Sequence, residues 1–191
     1  MIIYLHGFDS TSPGNYQKVM QLQFIDPNVH AISYSTIHPK HDLSHLLNAV
    51  TEVISHCSPD EPIVIVGVGL GGYWSERIGF LCGIPSVLIN PNLHPETNMG
   101  GKVERIEEFE HIKGKCVQNF RELNQHKSLV VLSRNDELLD TEALAQELQP
   151  FYEIIWDEVQ THKFADLGAY LSRIKTHRNR QCLPQLHAVQ I

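Results

Sequence analysis

The 191-residue sequence predicts an α/β protein, a mainly parallel sheet of about six strands with helices on both faces. Two observations carry that expectation. Short β-rich apolar runs alternate with longer segments of helical period, the pattern of successive βαβ units. A glycine-rich stretch, Gly67-Val68-Gly69-Leu70-Gly71-Gly72, joins one such apolar run to a helical segment, as a strand-to-helix turn does. The length suits one compact domain over residues 1–191, long enough to bury a core without disulfide or metal staples.

In chain order, strands are expected at Ile2 to Leu5, Val29 to Tyr34, Pro62 to Gly67, Ser86 to Asn90, Ser128 to Ser133 and Tyr152 to Trp156. A helix should start at Ser12-Pro13, a cap followed by proline at the first helical position, and run to about Phe24. The clearest helix follows Asp42, a candidate N-cap, because Leu43, Leu46, Leu47, Val50, Val53, Ile54 and Cys57 fall on one face. Further helices should follow Gly69, Thr141 and Asp166. Residues 91–115, with two prolines and three glycines, read as irregular and are the candidate insertion or lid. Residues 179–191 lack periodicity and are expected to form a loosely held tail.

Composition narrows the functional classes. Hydrophobic residues make up 42% and charged residues 19%, as in a globular domain. A formal charge of -7 repels a phosphate backbone, so nucleic acid is not an expected partner. The one basic stretch, Arg173 to Arg180, sits where a last helix should end and suits the negative end of its dipole. No apolar run is long enough to cross a bilayer, and the first residues lack a secretory leader pattern, so a cytoplasmic protein with no membrane partner is expected. Cys57, Cys82, Cys116 and Cys182 form no C-x-x-C pair and suit a reducing compartment.

Ligands of open parallel sheets bind beyond the carboxyl ends of the strands. Four loops converge there: His6-Gly7-Phe8, Gly67 to Gly72, Asn135-Asp136-Glu137 and Thr161-His162-Lys163-Phe164. The order of an HG loop, a G-x-x-x-G turn, an acid and a histidine resembles the α/β-hydrolase superfamily, whose triad runs nucleophile, acid, histidine. Ile2 to Phe8, Gly67 to Trp74, Asn90-Pro91-Asn92 and Thr161 to Phe164 resemble the YcfP family, relatives of the YqiA esterases.

That resemblance implies a three-layer α/β-hydrolase fold and assigns roles to residues. Gly69 stands at the nucleophile position, so acyl-enzyme chemistry through a serine there is excluded. Asp136, with Glu137 as runner-up, is the expected acid and His162 the expected base. The backbone N–H groups of Phe8 and Leu70 are the expected oxyanion hole. His6, Gly7, Asn90 and Asn92 are expected to line the pocket, His6 without a catalytic role. A water in the vacated serine position, activated by His162, makes a slow hydrolase of small esters or thioesters physically feasible without any cofactor. The alternative is a non-catalytic protein that binds a small-molecule ligand on a retired hydrolase site; oligomeric state is open.

Rival motifs are weaker. Gly67, Gly69 and Gly72 spell G-x-G-x-x-G, yet Asn90 stands where a dinucleotide site wants an acid on the ribose. His41 and His45 share a helical face at i and i+4, but a chain with 12 histidines produces such pairs readily and no metal is expected. Of the replacement nucleophiles, Ser75 and Cys82 lie roughly 9 and 20 Å down the helix at about 1.5 Å per residue. Ser10, Thr11, Ser12 and Ser133 have no base assigned to them by sequence.

Overall fold

The computed structural model describes residues 1–8, 13–115 and 119–180. Residues 181–191 of the tail expected over 179–191, with Ser10, Thr11, Ser12 and Cys116, lie outside them, whereas Asn179 and Arg180, expected in that tail, end the last helix. Six strands form one sheet, and every pairing is parallel. They are β1 (Ile2–Leu5), β2 (Val29–Ile32), β3 (Val64–Val68), β4 (Ser86–Ile89), β5 (Leu129–Ser133) and β6 (Glu153–Asp157), in the order β2-β1-β3-β4-β5-β6. The chain therefore steps outward from β1 to β2 and then returns to the other side of β1 for β3.

Helices α1 (Pro13–Leu22), α2 (Pro39–Ser55), α3 (Leu70–Cys82), α4 (Pro95–Asn98), α5 (Glu107–Lys115), α6 (Phe120–Leu123), α7 (Thr141–Leu148) and α8 (Leu171–Arg180) cover the two faces. Alternation along the strands sorts the core. Ile2, Tyr4, Val64, Val66, Val87 and Val131 face Leu22, Phe164, Leu167 and Ile174, which belong to α1, the loop after β6 and α8. Ile3, Leu5 and Ile65 face Leu46, Val50, Leu70, Trp74 and Ile78 of α2 and α3. Leu88, Val130 and Leu132 meet Leu144 and Leu148 of α7. This is the three-layer arrangement expected of the fold.

Three local expectations change. Helix α2 begins at Pro39 with His38 at the N-cap position, so Asp42 lies inside the first turn. Its buried carboxylate instead accepts Ser35 N–H and Ser35 Oγ at 3.0 and 2.6 Å. Helix α1 ends at Leu22, and Phe24 is 84% exposed beyond it. Residues 91–115 are more regular than their prolines and glycines suggest, since α4 and α5 lie within them. Met99, Val103, Phe109 and Ile112 are buried with Tyr73 and Trp74 of α3.

Helix α3 meets β1 at very short range. A Cβ on Gly71 would stand 2.2 Å from the Leu5 carbonyl oxygen and 2.5 Å from that of His6, and one on Gly72 would stand 2.9 Å from Pro91 Cβ. No side chain fits between helix and strand ends there. Gly71→Ala is expected to cost more than the about 1–3 kcal/mol of ordinary overpacking, because the clash is with backbone. Gly100→Ala, with nothing within 4 Å, should stay within about 0.5 kcal/mol in the same urea titration.

Candidate functional site

β1 and β3 are neighbours at the point where strand order reverses, so the loops leaving their carboxyl ends flank the crevice in which such sheets bind ligands. The loop after β1 carries His6, Gly7 and Phe8; the turn after β3 carries Gly69. A Cβ at Gly69 would lie 3.9 Å from Gly7 Cα, and one at Gly7 would lie 3.3 Å from Val68 O. The two loops are thus in direct contact.

Gly69 has φ +56° and ψ -119° and occupies the N-cap position of α3. Positive φ is strained for any residue with a Cβ and free for glycine. Its own groups are anchored: N–H donates to Ile89 O at 3.0 Å, and its carbonyl accepts N–H of Gly72 and Asn92, each at 3.0 Å. Leu70 is the first residue of α3. First-turn N–H groups have no intrahelical acceptor and carry the positive end of the helix dipole.

His162 faces this turn from the loop after β6. Its Nε2 lies 3.3 Å, and its Cε1 3.8 Å, from the point where a Cβ on residue 69 would stand. Its Nδ1 is 2.8 Å from Asp136 Oδ2 in the loop after β5. The Asp136 side chain is fully buried and that of His162 is 20% exposed. Asp136 Oδ1 also accepts Leu138 N–H and Leu139 N–H at 2.8 and 2.9 Å, which fixes the carboxylate. With Nδ1–H donated to the carboxylate, the Nε2 lone pair is left free on the side of residue 69.

The two acids of this loop divide the work. Glu137 Oε2 accepts the backbone N–H of His162 at 2.9 Å, and that bond holds its carboxyl below the usual range. Asp136 takes the ring. Both grip the same residue, one by its backbone and one by its imidazole.

Two expected pocket residues have other work. Asn90 is fully buried at φ +41°. Its Oδ1 accepts Ser133 N–H at 2.7 Å and its Nδ2 donates to Thr161 O at 3.2 Å. It therefore ties the end of β5, which leads to Asp136, to the residue before His162. Asn92 is 7% exposed and its Oδ1 accepts Asn98 Nδ2 at 2.6 Å. Both were expected to line the pocket; their amides are spent on the scaffold instead.

His6 stacks on Tyr34 with ring centroids 4.4 Å apart, its Nδ1 2.8 Å from Gly7 O and its Nε2 3.4 Å from Tyr34 N. It shapes the HG loop, and the Tyr34 hydroxyl donates to the His6 carbonyl at 2.5 Å. Phe8 packs against the cluster under α2 and α3. Ser133 is buried with its hydroxyl donated to Gln160 O, so it is no nucleophile in waiting. Ser75 is buried beneath β3, its Oγ 2.2 Å from where a Cβ on Gly67 would be. His45 Nε2 is 2.9 Å from the Ser33 carbonyl, with the His41 ring stacked at 6.2 Å.

A further anchor was not visible in the sequence. Asp157 Oδ1 accepts N–H of Val159 and Gln160 at 2.7 and 2.5 Å, and its Oδ2 accepts the Tyr170 hydroxyl at 2.5 Å. Burial alone would raise its carboxyl, but these bonds outweigh burial and hold it below the ordinary value. An aspartate at a strand end followed by Glu-Val-Gln gave no signal beyond turn chemistry. The loop it starts is closed by Phe164, fully buried at φ +45°.

A family model described as an uncharacterised protein family, UPF0227, matches residues 1–179. The UPF0227 protein YcfP of Salmonella paratyphi A is 61% identical over 178 residues, covering 93% of this chain and 98% of that protein. Among solved structures, one titled LipS and LipT, two metagenome-derived lipolytic enzymes, matches with a TM-score of 0.69 at 12% identity, over 94% of this chain and 93% of its own. An esterase of Pyrococcus furiosus matches at 0.68 and 16% identity, over 94% and 80%. At such identities the likeness carries the fold, that of the α/β-hydrolase esterases.

Asn90→Ala tests the scaffold. It leaves the buried Ser133 N–H without its partner, at about 1–3 kcal/mol, and frees the Thr161 carbonyl, which is on an exposed residue. Lower stability in urea, with faster amide exchange in the His162 loop than in α2, is the expected result.

Proposed function

The chain belongs to the UPF0227 family, and we propose that it is a slow hydrolase of small esters or thioesters in which water, activated by His162, takes the place of the absent serine hydroxyl. One observation carries this reading. Asp136 Oδ2 and His162 Nδ1 are 2.8 Å apart while His162 Nε2 sits 3.3 Å from the vacated Cβ position. The base and its orienter are aligned on the position that a side chain at residue 69 would take, and the proposal puts a water there.

The step balances without a covalent intermediate. A water oxygen attacks the carbonyl carbon as its proton passes to Nε2 of His162, and Asp136 stabilises the imidazolium. The carbonyl oxygen becomes an oxyanion and accepts N–H from Leu70 and Phe8. The C–O or C–S bond then breaks, Nε2 returns the proton to the leaving group, and a carboxylic acid departs. Serine hydrolases deprived of triad members still keep roughly 10³–10⁴-fold over water through the oxyanion hole and binding, which sets the scale. A small-molecule substrate is part of the same proposal.

A panel of small esters and thioesters, run on the wild type beside His162→Ala and Asp136→Asn, tests the proposal. Wild-type turnover that falls to background in both variants, without fluorophosphonate labelling, is expected. Turnover unchanged in His162→Ala, or labelling mapped to a hydroxyl, would move the chemistry elsewhere. No wild-type turnover at all would leave a protein that only binds.

A further inference from the structure

Among the described residues, a cavity lies away from His162. It opens between α3, the segment after β4, and α5, α6 and α7, with a volume of about 120 Å³, walled by Arg77, His94, Lys113, Phe120, Arg121 and Glu147 among others. Arg77 is eight residues beyond Gly69, about 12 Å along α3 at roughly 1.5 Å per residue.

Most charges around it are already matched. Arg121 Nε and Nη2 donate to the two oxygens of buried Glu76 at 2.6 and 3.1 Å, and its Nη1 donates to Glu147 at 2.5 Å. His94 Nε2 stands 2.7 Å from the other Glu147 oxygen. Burial alone would raise the Glu147 carboxyl, but Arg121 and His94 outweigh it and keep it ionised below the usual range. Lys113 Nζ, half exposed, donates to Glu96 at 2.9 Å.

Arg77 is different. Its side chain is 7% exposed, and its guanidinium lies 3.6 Å over the Tyr73 ring and 5.5 Å from that of Phe120. Among the described residues it makes one hydrogen bond, from Nη1 to Tyr73 O at 3.2 Å. The nearest carboxylate oxygen, on Glu76, is 3.6 Å away, beyond hydrogen-bond range, and both Glu76 oxygens already serve Arg121. A guanidinium has five N–H donors, and burying its charge with most of them idle is costly. Here those donors border an open cavity.

We propose that this cavity is a binding site for a small oxyanion, the carboxylate or phosphate group of a metabolite-sized ligand. The idle N–H groups of Arg77 form a fork suited to two oxygens of one anion. Lys113 reaches the same space from α5, and Phe120 with the aliphatic lining accommodates a short apolar remainder. The volume equals that of about four waters at about 30 Å³ each, enough for such a group with a few carbons. Arg77, Lys113 and Arg121 balance Glu76, Glu96 and Glu147, so specificity comes from the unspent donors of Arg77 and not from excess charge. The site is independent of the hydrolase reading.

The test is an NMR titration of the full chain with inorganic phosphate and, separately, sodium propionate, following the Arg77 Nε–H and His94 ring signals. A saturable shift with either anion is expected, and which one acts identifies the group recognised. Arg77→Gln should weaken binding on the order of tenfold or more, as expected for loss of charged hydrogen bonds. Lys113→Gln, at a half-exposed position that threatens the fold less, should also weaken it, while His162→Ala should leave it intact. No saturable shift with either anion, or equal affinity in wild type and Lys113→Gln with Arg77→Gln folded and unaffected, would overturn the proposal.

Discussion

Helix α3 rests on the ends of β1 and β4 with carbonyl oxygens and Pro91 occupying the volume that side chains at residues 71 and 72 would need. From that contact the rest of the site follows. It brings the first turn of α3, the positive end of the helix dipole, to the crevice beside the HG loop. It forces the chain to turn sharply between Val68 and Leu70, so residue 69 takes a positive φ. In a hydrolase that places serine there, the backbone strain is tolerated because it presents the hydroxyl. Glycine accepts the same turn without strain.

The acid and the base are held by a second set of constraints, independent of residue 69. Asn90 joins the β5 end to Thr161, Ser133 joins it to Gln160, Glu137 grips the His162 backbone and Asp157 caps the loop between. Asn90, Ser133 and Asp157 are buried polar groups with their partners in place, and breaking one of these contacts leaves an unsatisfied group behind, whereas the Glu137 contact is exposed. The Asp136–His162 hydrogen bond is therefore a property of the whole carboxyl edge of the sheet. None of these contacts involves a side chain at residue 69, so on the proposed reading the absence of a hydroxyl there leaves the Asp136–His162 geometry unchanged.

The sheet and the order of the site loops were legible because they rest on periodicity and on glycine, which local sequence reports well. In β1, Ile2 and Tyr4 pack on one face and Ile3 and Leu5 on the other, so both faces of the expected strand are apolar. Long-range polar choices were not legible. Asp42 reads as a cap, yet Pro39 starts the helix and Asp42 turns inward to Ser35. The prolines and glycines of residues 91–115 read as a loop, although burial of Met99 and Phe109 against Trp74 stabilises two helices among them. Asn90 and Arg77 look ordinary in sequence, because what distinguishes each is the partner folding brings to it or withholds. Arg77 in particular follows a Glu in a helix, which suggests only a surface pair.

The central claim is that the hydrolase geometry is intact and lacks only its hydroxyl, and Gly69→Ser restores the hydroxyl alone. Serine adds strain at φ +56°, on the order of 1–3 kcal/mol, and its Cβ asks His162 to yield by a few tenths of an ångström. The decisive measurement is intact-mass and peptide analysis of fluorophosphonate labelling on this variant alongside its melting temperature. The account predicts a protein that melts lower yet labels at residue 69, with labelling abolished when His162→Ala is added. A folded Gly69→Ser protein that does not label would contradict it, showing that the pair at His162 and Asp136 is no longer aligned for chemistry.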